Sequence, residues 1–290
     1  MSVSWKLRLI VYSLFCPLAS GSLLRWNESF TTLWKDCRNP GYTKSMVVHY
    51  GMKMIWCPNA KVGTTSMYDL FRRALGTGEH LRCIKEFPKK CAPFVSMSLI
   101  SPAEQRKICE KGFTTFTFVR NPYERVLSAF LDKIGRCHVN PKGKVVSEAP
   151  TYEHYCGSIR QRFKLKDTEP VTFLHFVRWL KTRRPDEFNQ HWQSYRARCA
   201  TGNHKAAVHY DVVGRLEHGV NDTLQLLLPK LGIDPGLYQH SSRNSHGADK
   251  VKKLQTHYRV GTPSSKEIAH TVHDIYKSDI YDFGYSLGID

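Results

Sequence analysis

The chain has 290 residues, with 43 Lys and Arg against 25 Asp and Glu, and a formal net charge of +18. That length admits one sizeable α/β domain of roughly 240 residues behind a leader. The charge says little about fold but favours polyanions or anionic small ligands, which leaves nucleic acid, acidic glycans and nucleotides open.

The chain begins with a basic stretch, Lys6 and Arg8, and residues 9–24 are then free of charge. The uncharged run is shorter than the about 20 apolar residues of a full membrane span. It contains Pro17 and ends near small residues, Ala19, Ser20 and Gly21, that suit cleavage. Residues 1–24 are therefore read as a signal peptide or a short type II membrane anchor. Either one delivers the rest of the chain to the secretory lumen. Beyond Cys16 lie Cys37, Cys57, Cys83, Cys91, Cys109, Cys137, Cys156 and Cys199, an even set that fits disulfides in an oxidising compartment. No CxxC pair occurs, so a zinc ribbon is not indicated. Two glycosylation sequons, Asn27-Glu28-Ser29 and Asn221-Asp222-Thr223, agree with a lumenal chain.

Residues 25–45 have no periodicity and read as a stem, with the main domain at 46–290. Residues 46–57, MVVHYGMKMIWC, are apolar and β-prone; Gly51 can divide them, and Pro58 ends them. A helix follows from Thr64, with Met67, Leu70, Phe71, Ala74 and Leu75 on one face, Thr64 or Thr65 as N-cap and Gly76 as stop. The pattern repeats at 113–134. An aromatic and β-branched strand leads to Asn121 as N-cap and Pro122 as first helical residue. Tyr123, Val126, Leu127, Phe130, Leu131 and Ile134 then line one face. Residues 137–170 read as loop-rich. Helices are expected at 172–183 and 219–231, a strand at 208–213, and a mobile surface loop at 239–262. The last helix is expected to start on a capping box, Ser264-x-x-Glu267. Strands alternating with helices argue for a three-layer α/β fold, P-loop-like, with a central mainly parallel sheet and helices on both faces.

In such sheets ligands bind beyond the carboxyl ends of the strands. Both strand-to-helix turns lie at that edge. The first, CPNAKVGTTS, differs from a nucleoside-triphosphate loop, GxxxxGK[ST], because Lys61 comes before Gly63. The amides of Val62, Gly63, Thr64, Thr65 and Ser66 open a helix N-terminus, a setting that favours an anion. The hydroxyls of Thr64, Thr65 and Ser66 add donors, and Lys61 adds a charge that can sit beside a leaving oxygen. The second turn offers Arg120 and, two turns on, Ser128, which together can hold another phosphate. Either one alone fits a surface ion pair or a small helix residue equally well.

The two turns, CPNAKVGTTS and FTFVRNPYERVLSAFLDKI, resemble as a pair the cofactor motifs of Golgi carbohydrate sulfotransferases, in the branch of the HNK-1, chondroitin 4-O- and dermatan 4-O-sulfotransferases. Asn189-Gln190-His191-Trp192, residues 210–217 (YDVVGRLE) and Asp282-Phe283-Gly284-Tyr285 are similar to later blocks of that branch. The resemblance implies transfer of a sulfuryl group from 3′-phosphoadenosine 5′-phosphosulfate (PAPS) to a carbohydrate hydroxyl, of a glycosaminoglycan or a glycoprotein glycan, in the Golgi lumen, and the basic charge of the chain favours an acidic glycan. The resemblance also implies Lys61 and the 62–66 amides at the 5′-phosphosulfate and Arg120 with Ser128 at the 3′-phosphate. A lysine and amides beside the leaving phosphate require no metal, which fits the absence of a GK[ST] hydroxyl. His191 is the favoured general base, Trp192 a sugar-stacking candidate, and Glu217 an alternative base that a buried ion pair with Arg215 or another basic residue explains equally well. Two departures stand out. Ala60 replaces the family's proline before the lysine, and no second cysteine follows Cys199. The competing readings are a non-catalytic binder of acidic glycans on the same fold, and a P-loop nucleotide kinase, disfavoured by the lysine position. Nucleic acid is not expected as a partner, since no reader motif is present.

Overall fold

The computed structural model describes residues 37–74, 94–147, 150–184, 187–201, 208–217, 220–237, 256–258 and 262–286. The leader at 1–24, most of the stem, the Asn27 sequon, Cys83, Cys91, Leu75 and Gly76 lie outside the described residues. So does most of the loop expected at 239–262. Among the described residues no helix is long and apolar enough to cross a membrane.

The segment 46–57 is divided as Gly51 allows. Strands β1 (Val47–His49) and β2 (Met54–Cys57) form an antiparallel hairpin, with Val48 opposite Ile55. Helix α1 (Thr64–Ala74) follows β2. Strand β3 (Val95–Ser96) pairs antiparallel with β1 and leads through a 3-10 turn to α2 (Pro102–Glu110), which sequence reasoning missed. Strand β4 (Thr114–Val119) lies parallel to β2 and leads to α3 (Pro122–Lys133), where Asn121 Oδ1 accepts from Tyr123 N at 3.0 Å. The region read as loop-rich contains a small hairpin, β5 (His138–Val139) with β6 (Val145–Val146), and a full helix, α4 (Glu153–Phe163). Its helical signal is faint because its buried residues are only Cys156, Ile159 and Arg160, one of them an arginine. Arg160 is accommodated by donating to the carbonyls of Glu169, at 2.8 Å, and Lys166.

Helix α5 (Phe173–Lys181) agrees with expectation, and the short α6 (Tyr195–Cys199) adds to it. The next strand, β7 (Val212–Arg215), lies later than 208–213, because its ladder to β4 starts only at Val212, opposite Phe116. Helices α7 (Val220–Lys230) and α8 (Pro263–Asp282) complete the order. The cap of α8 is not Ser264. Pro263 takes the first helical position, where its missing N–H costs nothing, so the start moves back and Thr262 Oγ1 accepts from Ser265 N at 3.1 Å. Glu267 instead meets Arg178 at 2.5 Å. Tyr258, within the stretch expected as a surface loop, is 1% exposed and donates to Tyr123 O at 2.8 Å.

The sheet order is β3-β1-β2-β4-β7. Only β1 runs against the others, so the sheet is mainly parallel. Alternation along β2 sends Met54 and Trp56 to the face covered by α1 and α7, and Ile55 and Cys57 to the face covered by α2 and Tyr210. A third core joins α3, α4, α5 and α8 around Phe130, Phe176 and Trp192. Three disulfides, Cys37–Cys109, Cys57–Cys199 and Cys137–Cys156, tie the described parts together.

Gly214 shows how closely β7 and α7 approach. A Cβ there would lie 2.4 Å from the Phe118 ring and 2.8 Å from Thr223 Cγ2. Gly214→Ala is expected to destabilise the fold by about 1–3 kcal/mol through overpacking. A urea-unfolding midpoint equal to that of the parent chain would refute this close fit.

Candidate active site

Strands β2, β4 and β7 end side by side at one edge of the sheet, and the loop of residues 58–63 crosses that edge between β2 and α1. Two of its residues have left-handed backbones, Lys61 at φ 67° and Gly63 at φ 78°. A lysine in that region is strained by about 1–3 kcal/mol, so its surroundings must hold it. They do so through the loop's carbonyls. Arg198 Nε donates to Pro58 O at 3.1 Å, Arg125 Nε to Ala60 O at 3.1 Å and Arg120 Nη1 to Lys61 O at 3.3 Å. The first carbonyls are thus turned into the protein, and Val62, 3% exposed, anchors the loop in the core.

Asn59, fully buried, donates from Nδ2 to Thr117 Oγ1 at 3.0 Å and Phe118 O at 3.1 Å, fixing the loop to β4. Helix α1 opens on Gly63, whose carbonyl accepts from Met67 N at 3.1 Å. Gly63 thus takes the cap position expected of Thr64 or Thr65. The Thr64 hydroxyl donates to Asn59 O and closes the loop, so it is not an outward donor as expected. Thr65 is exposed and Ser66 half-buried. The first N–H groups of any helix lack partners within it, and α1 starts directly after the loop that follows β2.

Lys61 Nζ reaches Asp132 Oδ2 at 2.5 Å, and Lys133 Nζ approaches the same oxygen at 3.1 Å. The two partners of the first pair are shifted in ways that disagree. Burial outweighs the ion pair for Lys61 and lowers its pKa, whereas for Asp132 burial works upward but the hydrogen bonds from Lys61 and Lys133 prevail and lower it. The carboxylate, 46% exposed, is the better guide, and it is ionised at neutral pH.

Arg120 follows β4 directly. Its backbone N–H donates to Tyr195 Oη at 2.8 Å, and that hydroxyl donates back to Arg120 O at 2.9 Å. Its side chain meets Glu124 Oε2 at 3.1 Å. Ser128, half-buried, lies one turn beyond Glu124 on the same stripe of α3, and Asp132 one turn beyond that. The structure therefore brings Lys61, Arg120 and the Ser128 stripe to a single strand edge.

His191 joins this cluster from the segment before α6. Burial, followed by the charges of Lys133 and Lys61, pushes its pKa down to about 3. Its Nδ1 lies 2.8 Å from Asn189 Oδ1 and 2.9 Å from Tyr152 Oη. Asn189 Oδ1 also accepts from His191 N at 3.1 Å, so that atom is the amide oxygen. Nδ1 must then carry the proton, which leaves the Nε2 lone pair bare. Trp192 is not available to a sugar. It is 1% exposed, packed edge-on against Tyr155 and Phe176, because the third core needs its bulk. Glu217 serves structure as well. Its Oε1 accepts from Asn121 N at 2.6 Å and its Oε2 from Tyr285 Oη at 3.2 Å, which ties the closing DFGY block to the start of α3.

Sequence reasoning missed Arg125, Arg198, Asp132, Lys133 and Tyr152. Arg125 had a signal, an arginine between the apolar stripe residues of α3; it is 1% exposed and lies 4.4 Å over the Tyr195 ring. Asp132 had another, its position four residues after Ser128. A cleft of about 690 Å³ opens elsewhere, against Phe130, Val171, Phe173, His257 and Ile268. It contains none of these charged groups, so chemistry locates the site better than volume does. Among the described residues no cluster of His, Cys, Asp and Glu has the makings of a metal site.

Comparison with known proteins places the chain among carbohydrate-modifying relatives. Carbohydrate sulfotransferase 11 of Mus musculus is 27% identical over 266 residues, covering 86% of this chain and 69% of the relative. Carbohydrate sulfotransferase 12 of Xenopus laevis is 27% identical over 199 residues, 62% of this chain and 41% of the relative. Carbohydrate sulfotransferase 14 of Homo sapiens is 34% identical over 140 residues, 45% of this chain and 33% of the relative. No solved structure matches the chain. The sulfotransferase family matches residues 44–286, which span the whole sheet, both strand-to-helix turns and the closing helix, and the chain is a member of that family.

Proposed function

We propose that this sulfotransferase moves a sulfuryl group from PAPS to a hydroxyl of a carbohydrate, with an acidic glycan as acceptor, in the Golgi lumen. On this reading residues 1–24 are the leader or type II anchor, 25–45 the stem and 46–290 the catalytic domain, built as a P-loop-like fold. The observation that carries the donor site is the loop of residues 58–63, whose carbonyls are taken by Arg198, Arg125 and Arg120 while Lys61 stands at the strand edge. Carbonyls held inward leave the amide edge of 62–66 to an anion.

The chemistry of the donor set fits a nucleotide with an anionic group at each end. Lys61 and the amides of 62–66 would hold the 5′-phosphosulfate, and Arg120 with Ser128 the 3′-phosphate. The donor supplies an activated sulfuryl group on a nucleotide phosphate. Lys61 offsets the negative charge that develops on the leaving phosphate oxygen. His191 Nε2 receives the proton of the attacking hydroxyl, held to that task by Nδ1–H on Asn189. The net basic charge of the chain, +18, assists an acidic acceptor.

Lys61→Ala is expected to lower turnover about 100- to 1,000-fold, as loss of one group at a developing charge does elsewhere. Radiolabelled-sulfate transfer to a panel of chondroitin, dermatan, heparan and N-glycan acceptors measures it. Full transfer by the variant would remove Lys61 from the reaction, and glycan binding without transfer by the parent chain would favour a non-catalytic binder. Arg120→Ala should bring the affinity for 3′,5′-ADP down to that for 5′-AMP in calorimetry; retained discrimination would sink the 3′-phosphate role.

The pH behaviour follows from His191. With its pKa pushed down to about 3, the imidazole is neutral through the neutral range. Its contribution to stability is present above the unfolded value of about 6.5 and is lost as pH falls from there toward about 3. The turnover of the parent chain should then show no acid limb near pH 6.5, while His191→Gln loses activity by about 100-fold or more at every pH. Parent-level activity in His191→Gln would remove His191 as the base, and an acid limb close to pH 6.5 that disappears in the glutamine variant would show an imidazole titrating at its ordinary value instead of the lowered one.

A further inference from the structure

Both cations assigned to the donor already have a carboxylate partner, and both partners come from one stripe of α3. Arg120 is paired with Glu124 at 3.1 Å, and Lys61 with Asp132 at 2.5 Å. Glu124, Ser128 and Asp132 are spaced four residues apart, so their side chains follow one another along the same helix face. The order along that face is carboxylate, hydroxyl, carboxylate. The hydroxyl assigned to the 3′-phosphate stands between the two acids.

The acids have a physical reason to be there. The charges of Lys133 and Arg120 act on Lys61, and those of Lys133, Lys61 and Arg125 act on His191, in a partly buried site. Like charges drawn together in this way repel, and with no counter-charge the lysine would turn away from its neighbours. Arg125 and Arg198, bonded to backbone carbonyls and to Gln190, are cations themselves and bring no counter-charge to Lys61. Asp132 brings one to Lys61, and Glu124 brings one to Arg120.

We propose that Asp132 and Glu124 are resident counter-ions, which hold Lys61 and Arg120 in the site before the donor binds and release them to its two anionic ends. This assignment rests on the donor-site reading above. It makes the two acids positioning residues. One anion is exchanged for another at each cation, so the site is kept oriented without an uncompensated charge cluster. Each exchange also sets part of the binding free energy against a broken ion pair, which weakens the hold on the nucleotide product and favours its release.

The test is calorimetric titration of the full chain and its Asp132→Asn and Glu124→Gln variants with 3′,5′-ADP and with 5′-AMP. Both substitutions keep the side-chain shape and remove the charge. Asp132→Asn should tighten both nucleotides by about 2- to 10-fold, because both carry the 5′-phosphate. Glu124→Gln should tighten 3′,5′-ADP by a similar factor and leave 5′-AMP unchanged, a contrast that a general loss of acidity would not produce. Affinities that are unchanged or weaker in both variants overturn the proposal. So does an Asp132→Asn chain that binds nucleotide as the parent does but loses turnover, which would make Asp132 a proton acceptor. If the parent chain binds neither nucleotide, the donor-site reading itself fails.

Discussion

The site depends on a set of hydrogen bonds from arginine to backbone carbonyl. Each bond joins a charged donor to a carbonyl in a partly buried setting, where such bonds contribute about 1.5–3 kcal/mol. Together they hold residues 58–61 in a conformation that a lysine at φ 67° does not favour alone. The need for a proline before the lysine is then smaller. Ala60 is fixed by the bond from Arg125 to its carbonyl, an interaction that acts on the same backbone a proline would stiffen.

The same arginines reach past the loop. Arg125 Nη2 donates to Gln190 O at 3.3 Å, and Arg198 Nη2 to Gln190 Oε1 at 3.4 Å. Gln190 precedes His191, so the loop that bears Lys61 and the residue assigned as base are braced by the same two side chains. The Cys57–Cys199 disulfide links the segments again, one residue before Pro58 and one after Arg198. Cys199 therefore needs no second cysteine close behind it, because its partner lies across the site. Asp279 completes the bracing from α8. Its carboxylate accepts from Tyr195 N at 2.8 Å and Arg196 N at 3.1 Å, and burial pushes its pKa up to about 6.

How much of this was legible in the sequence depended on what each element buries. Strand β4 and helix α3 were readable in type and near-exact in extent, because β4 is buried along most of its length and α3 has a cap, a proline and a regular apolar stripe. Helix α4 was not, because one of its few buried positions is an arginine satisfied by carbonyls six and nine residues downstream. The start of α8 was misread since two cap signals compete there, and proline at the first turn outranks the capping box. The two strand-to-helix turns that carry Lys61 and Arg120 were legible because each is a local pattern of strand, turn and helix start. Arg125 and Arg198 were not, since what they hold lies 65 and 140 residues away. Trp192 was misassigned for a related reason: an aromatic beside a catalytic candidate looks the same in sequence whether it faces a ligand or a core.

The bracing also bears on how donor and acceptor chemistry stay in register. Sulfuryl transfer needs the leaving oxygen, the sulfur and the attacking hydroxyl in line, and an error on the order of 1 Å lowers the rate steeply. Lys61 belongs to the loop after β2, Arg120 to the turn after β4, and His191 to a segment that belongs to no strand. Had each been oriented by its own element alone, their relative placement would carry the fluctuations of three separate units. Arg125 removes that freedom, because one rigid guanidinium bonds both Ala60 and Gln190 while its own helix begins beside Arg120. Its planar fork can do this and a lysine could not, since a single ammonium on a flexible stem fixes neither direction. The precision of the site is thus a property of a buried side chain with no assigned part in the chemistry.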